Sequence, residues 1–408
     1  MKKSVLKKFA KLVAVAGVNV QKGQDVIINT SFDQVEFVEY VIEECYKAGA
    51  RKVTVNWNDT PMMTKLKYKY ESMETLTEFP EWRKLKNEYR IEKNPALIHI
   101  LSEDPDGLKG CDFKKMAEAK QILFPITKPY RDRLENRYQW TIIGVPSVAW
   151  AKKVFPELSP KKAVEALWDA ILKTTRVTDD PLKAWDEHNK DLQQRCDYLN
   201  SLNLDHLEYK SSNGTDFKVW FDEHLQWLGG AETSLEGVTY NPNMPTEECF
   251  TSPIRGRAEG TVVATKPLSY NGQLIENFQI TFKDGKAVSW KAEKNEELLG
   301  QMINMDGGSC YLGECALVPF ESPINTSGIL FYNTLYDENA TCHLALGMGF
   351  TDCVKDYHKY TKEDFEKMGV NDSMIHVDFM IGSRDLDIKG VTRDGKEVQI
   401  FKNGTWAF

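Results

Sequence analysis

The sequence predicts an α/β N-terminal domain, residues 1–202, followed by an α+β domain, residues 203–408. Its 408 residues exceed the ~250 to 300 at which a single hydrophobic core usually stops growing, so two domains are expected. Strand and helix signals alternate in the first half, which is typical of an α/β sheet. In the second half, Asn-Gly and Asp-Gly pairs separate short alternating runs, which is typical of antiparallel hairpins.

The chain begins with a predicted amphipathic helix, a buried strand and a second helix. Apolar residues of the first helix recur at helical spacing, namely Leu6, Phe9, Leu12, Val13 and Ala16. The strand covers Val26 to Asn29, and Ser31 with Gln34 predicts a capping box at the start of the next helix. That helix is expected to end at Gly49 and to bury one apolar face, formed by Val35, Val38, Val41, Ile42 and Cys45.

The remainder of the first domain continues this alternation. The predicted elements are a strand at Lys52–Trp57, a charged solvent-facing helix within Thr64–Lys93, strands at Ala96–Leu101 and Thr141–Pro146, and helices that begin at Ser159 and after Asp180–Pro181. No GxGxxG or GxxxxGKS loop follows any of these strands. The α/β pattern alone therefore predicts no nucleotide.

The second domain is predicted to consist mainly of hairpins. Three turns are expected, at Asn213-Gly214, Asp284-Gly285 and Asp394-Gly395. One clear helix, Glu296–Met305, lies between the strand runs.

Charge and hydropathy argue against nucleic acid and membrane as partners. The net charge is -8 and no lysine-rich or arginine-rich run stands apart. No stretch of about 20 apolar residues occurs, and Lys11 interrupts the apolar patch near the N-terminus, so we predict a cytoplasmic protein rather than a secreted one. The eight cysteines form no CxxC pair, which favours reduced thiols.

Six residues of the second domain suggest a chemical function. They are Glu248, Glu314, His343, Phe350, His376 and Asp378. Divalent zinc, cobalt or manganese accepts imidazole nitrogen and carboxylate oxygen, and two such ions ~3.5 to 4 Å apart clamp both oxygens of a hydrolysis. The composition of the set therefore predicts two divalent metals.

His376 and Asp378 lie in an apolar stretch, IHVDFMIG, that predicts a strand. Residues two apart on a strand point to the same face, so both side chains can meet one metal while Val377 and Phe379 pack on the other side. By spacing alone, a structural histidine or a surface ion pair explains this HxD pair equally well. His343 lies among small residues and glycines that let the backbone approach a site closely.

Four blocks, NMPTEECFTSP, YLGECALVP, FYNTLYDENATCHLALG and HVDFMIG, resemble signature blocks of the M29 family of metallo-aminopeptidases. GVNVQKGQDVIIN, AGARKV and SSNGTDFKVWF are also similar to family blocks, so the resemblance covers most of the chain. It implies a two-domain enzyme, usually a homodimer, whose second domain is catalytic. The implied reaction is removal of the N-terminal residue from peptides with a free N-terminus, by a metal-activated water in a dinuclear site.

The resemblance also assigns roles to residues. It implies that the metal ligands are Glu248, Glu314, His343, His376 and Asp378, with zinc, cobalt, magnesium or manganese as the two divalent ions. Glu247, adjacent to Glu248, is the reserve choice. Glu314 is the candidate general base, although it can also bind a metal.

Phe350 departs from the family pattern. The family often has a tyrosine at this position, thought to donate a hydrogen bond to the tetrahedral intermediate, and a benzene ring cannot donate that bond. Two alternatives to an active aminopeptidase therefore stay open. One is a catalytically weakened metal-binding homologue, and the other is a dinuclear phosphoesterase, for which Arg255 and Arg257 are the only nearby cations.

Overall fold

The chain folds into two compact units in the computed structural model, which describes residues 1–408. Unit 1 comprises Met1–His188 and Ala231–Pro245, and unit 2 comprises Asn189–Gly230 and Thr246–Phe408. These bounds differ from the predicted division after residue 202, because the segment Ala231–Pro245 returns to the first unit and the junction lies inside a long helix.

Both units mix helices and strands. The strands are β1 Asp25–Thr30, β2 Lys52–Trp57, β3 Ala96–Leu101, β4 Trp140–Gly144, β5 Leu204–Lys210, β6 Asp216–Trp220, β7 Glu232–Thr233, β8 Thr239–Tyr240, β9 Asn243–Met244, β10 Cys249–Thr251, β11 Ala258–Val263, β12 Leu268–Tyr270, β13 Gln273–Lys283, β14 Lys286–Lys294, β15 Leu312–Leu317, β16 His343–Gly347, β17 His376–Met380, β18 Asp387–Thr392, β19 Glu397–Lys402 and β20 Thr405–Trp406. The α-helices are α1 Lys3–Leu12, α2 Val35–Ala48, α3 Pro61–Tyr70, α4 Met73–Leu76, α5 Glu81–Lys93, α6 Phe113–Asp132, α7 Val148–Val154, α8 Pro160–Thr174, α9 Pro181–Ser201, α10 Glu296–Ile303, α11 Pro323–Thr326, α12 Thr334–Asp337 and α13 Lys362–Lys367. None of these helices combines the length and the apolar composition that a membrane span requires.

Unit 1 is built on a parallel five-stranded sheet. Its strand order is β2-β1-β3-β4-β9, and every neighbouring pair is parallel. The central strands are fully buried at Val26, Ile28 and Ile98, which explains why they appear in the sequence as continuous apolar runs. The predicted α/β pattern is thus confirmed, whereas the two-residue strand β9 has no periodicity that a sequence pattern detects.

Three details of unit 1 differ from the sequence predictions. The stretch Thr64–Lys93 is solvent-facing as expected, but it forms parts of three helices because Ser72 caps α4 and Pro80 precedes α5. The capping box is wrong, since the Ser31 side chain makes no cap and Gln34 is buried, donating to the hydroxyl of Ser102 at 2.6 Å. The predicted strand Thr141–Pro146 ends earlier, at Gly144.

Unit 2 contains two antiparallel sheets. One has nine strands, in the order β12-β13-β11-β6-β5-β18-β19-β20 with β14 paired to β13. The predicted turns at residues 213–214, 284–285 and 394–395 join β5 to β6, β13 to β14 and β18 to β19, so these hairpins are confirmed. The other sheet has four strands, in the order β10-β15-β16-β17, and it carries the residues described next.

Candidate metal centre

The four-stranded sheet places the acidic and imidazole side chains together. Glu314 on β15 lies opposite Ala345 on β16, and Ala345 lies opposite Asp378 on β17. Residues that face one another across strands project to the same side of the sheet, as do residues two apart on one strand. His343, two residues before Ala345, and His376, two residues before Asp378, therefore share this face. The small Ala345 side chain leaves space between the two carboxylates.

The opposite face of the same strands is hydrophobic core. Leu344 and Phe379 are at most 1% exposed and belong to the core cluster of unit 2, and Val377 packs against it. The predicted alternation of IHVDF is confirmed in this respect. The alternation fixes which side chains reach the site, because a register shift of one residue would exchange the two faces.

A β-bulge adjusts the position of Glu314. The register between β15 and β16 shifts between Leu312 and Glu314, so that Gly313 is the extra residue. A Cβ atom added to Gly313 would lie 2.0 Å from the carbonyl oxygen of Met348, a distance that real side chains do not tolerate. Only glycine therefore permits the close backbone approach that directs Glu314 into the cluster.

Replacement of Gly313 by alanine is expected to destabilise the fold by about 1–3 kcal/mol, because the added methyl group must displace a strand backbone. Chemical unfolding followed by circular dichroism measures the change. Gly307→Ala is the matched control, since an added Cβ there meets no atom within 4 Å. Equal unfolding midpoints for the two variants would show that the bulge tolerates a side chain.

Two groups of three side chains offer ligand atoms within 4.8 Å of one another. One group is Glu248, Glu314 and His343, and the other is Glu314, His376 and Asp378. Glu314 belongs to both: its Oε2 lies 2.9 Å from His376 Nε2, and its Oε1 lies 3.8 Å from His343 Nε2. One carboxylate thus spans the two halves of the cluster.

Each histidine is held by a backbone carbonyl. His343 Nδ1 lies 3.1 Å from the oxygen of Thr341, and His376 Nδ1 lies 2.7 Å from the oxygen of Met348. A carbonyl can only accept, so Nδ1 carries the hydrogen, and a neutral ring then presents its lone pair on Nε2. Both Nε2 atoms face carboxylates, with Glu248 at 3.1 Å from His343 and Asp378 at 3.2 Å from His376. This is the orientation that a metal ligand needs.

The cluster has an excess of negative groups away from water. Glu248, Glu314 and Asp378 are at most 5% exposed, and none of them forms an ion pair with lysine or arginine. Burial raises the pKa of Glu314 to about 7. Burial alone would lower the pKa of His343, but the carboxylates of Glu248 and Glu314 outweigh it and raise that pKa to about 9. Protons and cations therefore compete for the same site.

The donor set fits divalent cations. Asp378 Oδ1 is buried and has no hydrogen bond of satisfactory geometry, although His376 Nε2 is 3.2 Å away. A buried carboxylate oxygen without a hydrogen bond is costly unless a cation satisfies it. Carboxylate oxygen together with imidazole nitrogen suits zinc, cobalt and manganese, and a purely oxygen set would favour magnesium.

Glu338 is a fourth carboxylate of the cluster that the sequence did not indicate. It lies in a short 3₁₀ turn, Glu338–Ala340, and is 9% exposed. Burial and the carboxylates of Asp378, Glu248 and Glu314 raise its pKa well above the ordinary value, so it lies close to the other three. The available signal was the acidic pair Asp337 and Glu338 in the segment LYDENA, where Glu338 lies five residues before His343.

Glu248 and Glu247 differ in their position relative to the cluster. Only Glu248 belongs to a ligand group, whereas the amide of Glu247 donates to Asn339 Oδ1 at 2.7 Å. The sequence preference for Glu248 therefore agrees with the geometry.

Phe350 packs beside the cluster. Its ring centroid lies 4.8 Å from that of His376, at an interplanar angle of 45°, and 5.5 Å from that of Phe250. Its amide donates to the hydroxyl of Ser252 at 2.7 Å, which fixes the backbone. The side chain that stands where the family often has tyrosine is thus in contact with a candidate ligand.

Comparison with known proteins defines the class. The family model described as thermophilic metalloprotease (M29) matches residues 2–406. Aminopeptidase AmpS of Bacillus subtilis (strain 168) is 43% identical over 405 residues, which cover 99% of this chain and 98% of that protein. Aminopeptidase PepS of Streptococcus thermophilus is 38% identical over 407 residues, with 99% and 98% covered.

A solved structure agrees with these matches. Wild-type AmpT from Thermus thermophilus superimposes with a TM-score of 0.88 at 36% identity, and the match covers 100% of both chains. The protein is a hydrolase of the metallopeptidase class. It belongs to the M29 family, and the resemblance found in the sequence blocks is confirmed.

Proposed function

We propose that this protein is a dinuclear metallo-aminopeptidase that removes N-terminal residues from peptides. The observation that carries the proposal is the position of Glu314, whose two carboxylate oxygens face two different histidines. A carboxylate shared in this way is what a pair of metal ions requires as a bridge. The full-length relatives named aminopeptidases support the reaction type.

The proposed ligands divide into two sets. Glu248 and His343 would hold one ion, His376 and Asp378 the other, and Glu314 both. When bound, such ions polarise a carbonyl and lower the pKa of a water molecule toward neutrality. Zinc, cobalt, magnesium and manganese all remain candidates.

The chain's own carboxylates would handle protons and the substrate amine. Glu314 is the proposed general base, because its carboxylate lies between the two halves of the cluster, where it could accept a proton from a water molecule held there. The free α-amino group of a peptide is positively charged and needs a carboxylate partner. We propose Glu338 for this role, since it is the member of the cluster that belongs to neither ligand group, and cations held by the other carboxylates would lower its raised pKa and favour its ionised form.

The test is hydrolysis by chelator-treated protein reconstituted with one metal at a time. We expect aminoacyl-p-nitroanilides to be cleaved and p-nitrophenyl phosphate to be left intact, with full activity at two ions per chain. The phosphoesterase alternative has little support, because Arg255 lies over the ring of Tyr311 and Arg257 over that of Trp220. Cleavage of the phosphate ester alone would refute the proposal, and full activity with one ion per chain would refute its dinuclear part.

A homodimer is also proposed. Helix α3 buries none of its residues and exposes four large apolar side chains, Met62, Met63, Leu66 and Tyr70, at 45% to 71%. Such a surface suits a second copy of the chain. Light scattering at micromolar concentration should give the mass of two chains, and the mass of one chain would contradict the proposal.

Cytoplasmic location is proposed as well. All eight cysteines are free, and seven of them are buried, which agrees with a reducing compartment. Cell fractionation tests this assignment, and recovery of the protein in a secreted fraction would contradict it.

A further inference from the structure

Asn339 is a buried residue of unit 2 to which the proposed function gives no role. It lies in the 3₁₀ turn Glu338–Ala340, directly after Glu338, and it is 0% exposed. Its side-chain oxygen accepts a hydrogen bond from the amide of Glu247 at 2.7 Å. Its NH₂ group donates to the carbonyl oxygen of Leu335 at 3.1 Å and to Glu338 Oε1 at 3.3 Å. Both ends of the side-chain amide therefore have partners, and these partners fix which end is the oxygen.

The backbone of Asn339 is also held in place. The hydroxyl of Ser322, a residue that is 2% exposed, donates to the Asn339 carbonyl oxygen at 2.7 Å. Glu247 lies 92 positions earlier in the chain, so its bond to Asn339 joins the 3₁₀ turn to the segment that carries the proposed ligand Glu248. Asn339 is thus tied to two distant segments of unit 2, and its side chain has little freedom to rotate.

The contact between Asn339 and Glu338 has a chemical consequence. The Glu338 carboxyl group also forms a hydrogen bond with Asp378, so it lies among carboxylates whose repulsion favours turning it away. Asn339 opposes this movement, because its NH₂ group donates to one of the two oxygens. An amide is neutral, so it holds a carboxylate without cancelling its charge, as lysine or arginine would. Glu338 is therefore oriented while its negative charge stays available for a cationic ligand.

We propose that Asn339 is a positioning residue, which orients the Glu338 carboxylate toward the α-amino group of the substrate. This inference rests on the proposed function, in which Glu338 is the partner of that amine. A hydrogen bond between an ammonium group and a carboxylate depends on direction as well as on charge. A Glu338 side chain released from Asn339 therefore holds the amine less tightly. An asparagine that only stabilises the fold would instead affect every ligand of the site alike.

Isothermal titration calorimetry of the metal-loaded full-length protein tests the proposal with two probes, leucine hydroxamate and 4-methylpentanoyl hydroxamate, which differ only in the α-amino group. Both carry the same metal-binding group, so the ratio of their dissociation constants measures the contact with the amine. We expect the wild type to bind leucine hydroxamate about tenfold or more tightly than the other probe, the effect of a hydrogen bond between charged groups. Asn339→Ala should reduce this ratio to less than about threefold while the metal content and the binding of 4-methylpentanoyl hydroxamate stay at the wild-type level.

Further variants separate positioning from stability. Asn339→Ser should also lower the ratio and is a second variant in case Asn339→Ala fails to fold, since serine keeps a polar group in the buried site but has no NH₂ group. Asn325→Ala is the matched control, because Asn325 on α11 donates to the carbonyl oxygen of Phe320 at 2.8 Å and belongs to neither ligand group. It should leave the ratio unchanged. Glu338→Gln should lower the ratio, and adding Asn339→Ala to it should lower the ratio no further, because Asn339 acts through Glu338.

The outcomes distinguish this inference from the proposed function. The inference is overturned if folded Asn339→Ala keeps the wild-type ratio, if it weakens the binding of both probes equally, or if its effect adds to that of Glu338→Gln. A ratio that falls in Glu338→Gln but not in Asn339→Ala leaves the proposed function intact and overturns the inference alone. Binding of neither probe by metal-loaded wild type would refute the proposed function, and the inference with it.

Discussion

Replacing Glu314 by glutamine is expected to lower kcat/KM for aminoacyl substrates by more than about 100-fold, and to reduce the metal content of the purified protein. Groups that only support metal ligands already cost 10- to 100-fold when removed, so a shared ligand should cost more. A neutral amide also supplies no negative charge and turns an NH₂ group toward one histidine. The measurement combines steady-state hydrolysis with elemental analysis after desalting.

Glu321→Gln is the matched control for Glu314→Gln. Glu321 lies a few residues after β15, is exposed and belongs to neither ligand group, so the same chemical change should leave both readings at the wild-type level. Unfolding midpoints separate a local loss of metal from global unfolding. If Glu314→Gln retained two ions per chain and wild-type kcat/KM, the bridging assignment would be wrong.

The candidate ligands could be predicted from the sequence because their chemistry and their spacing are local properties. Imidazole and carboxylate groups are few in apolar blocks, and the period of two on a strand predicted that His376 and Asp378 share a face. The role of Glu338 in the cluster could not be predicted in this way. Its approach to the other carboxylates depends on a 3₁₀ turn and on tertiary packing, and neither leaves a periodic signal in the chain.

The fold was predictable to the extent that burial is periodic. The strands β1 and β3 are continuous apolar runs because both faces of a parallel sheet are covered. The return of Ala231–Pro245 to unit 1 was not predictable, since β9 has only two residues and pairs with β4 about 100 positions earlier. The prediction of a capping box at Ser31 was wrong for a related reason. Ser31 and Gln34 satisfy the local pattern, but the Gln34 side chain finds a partner in Ser102, 68 residues away.

Replacing Phe350 by tyrosine is expected to raise kcat by about 10- to 100-fold while leaving KM and metal content nearly unchanged. The ring already contacts His376, so the substitution adds a hydroxyl donor beside the cluster without moving the backbone. Removing one donor to a developing oxyanion costs about 10²- to 10³-fold in turnover, and adding one to a site not shaped for it should recover part of that factor. An effect confined to kcat identifies an interaction made only in the transition state.

Two control variants distinguish the effect of the added hydroxyl group from that of the aromatic ring. Phe250→Tyr adds the same hydroxyl to the neighbouring ring, 5.5 Å away, and Phe350→Leu removes the aromatic contact with His376 without adding a donor; neither should raise kcat. If metal-loaded wild type cleaves no substrate of a broad panel and Phe350→Tyr restores cleavage, the protein is a weakened homologue. If Phe350→Tyr binds metal fully and gains nothing over an active wild type, another group already serves the oxyanion. In that case catalysis does not need a hydroxyl group at position 350.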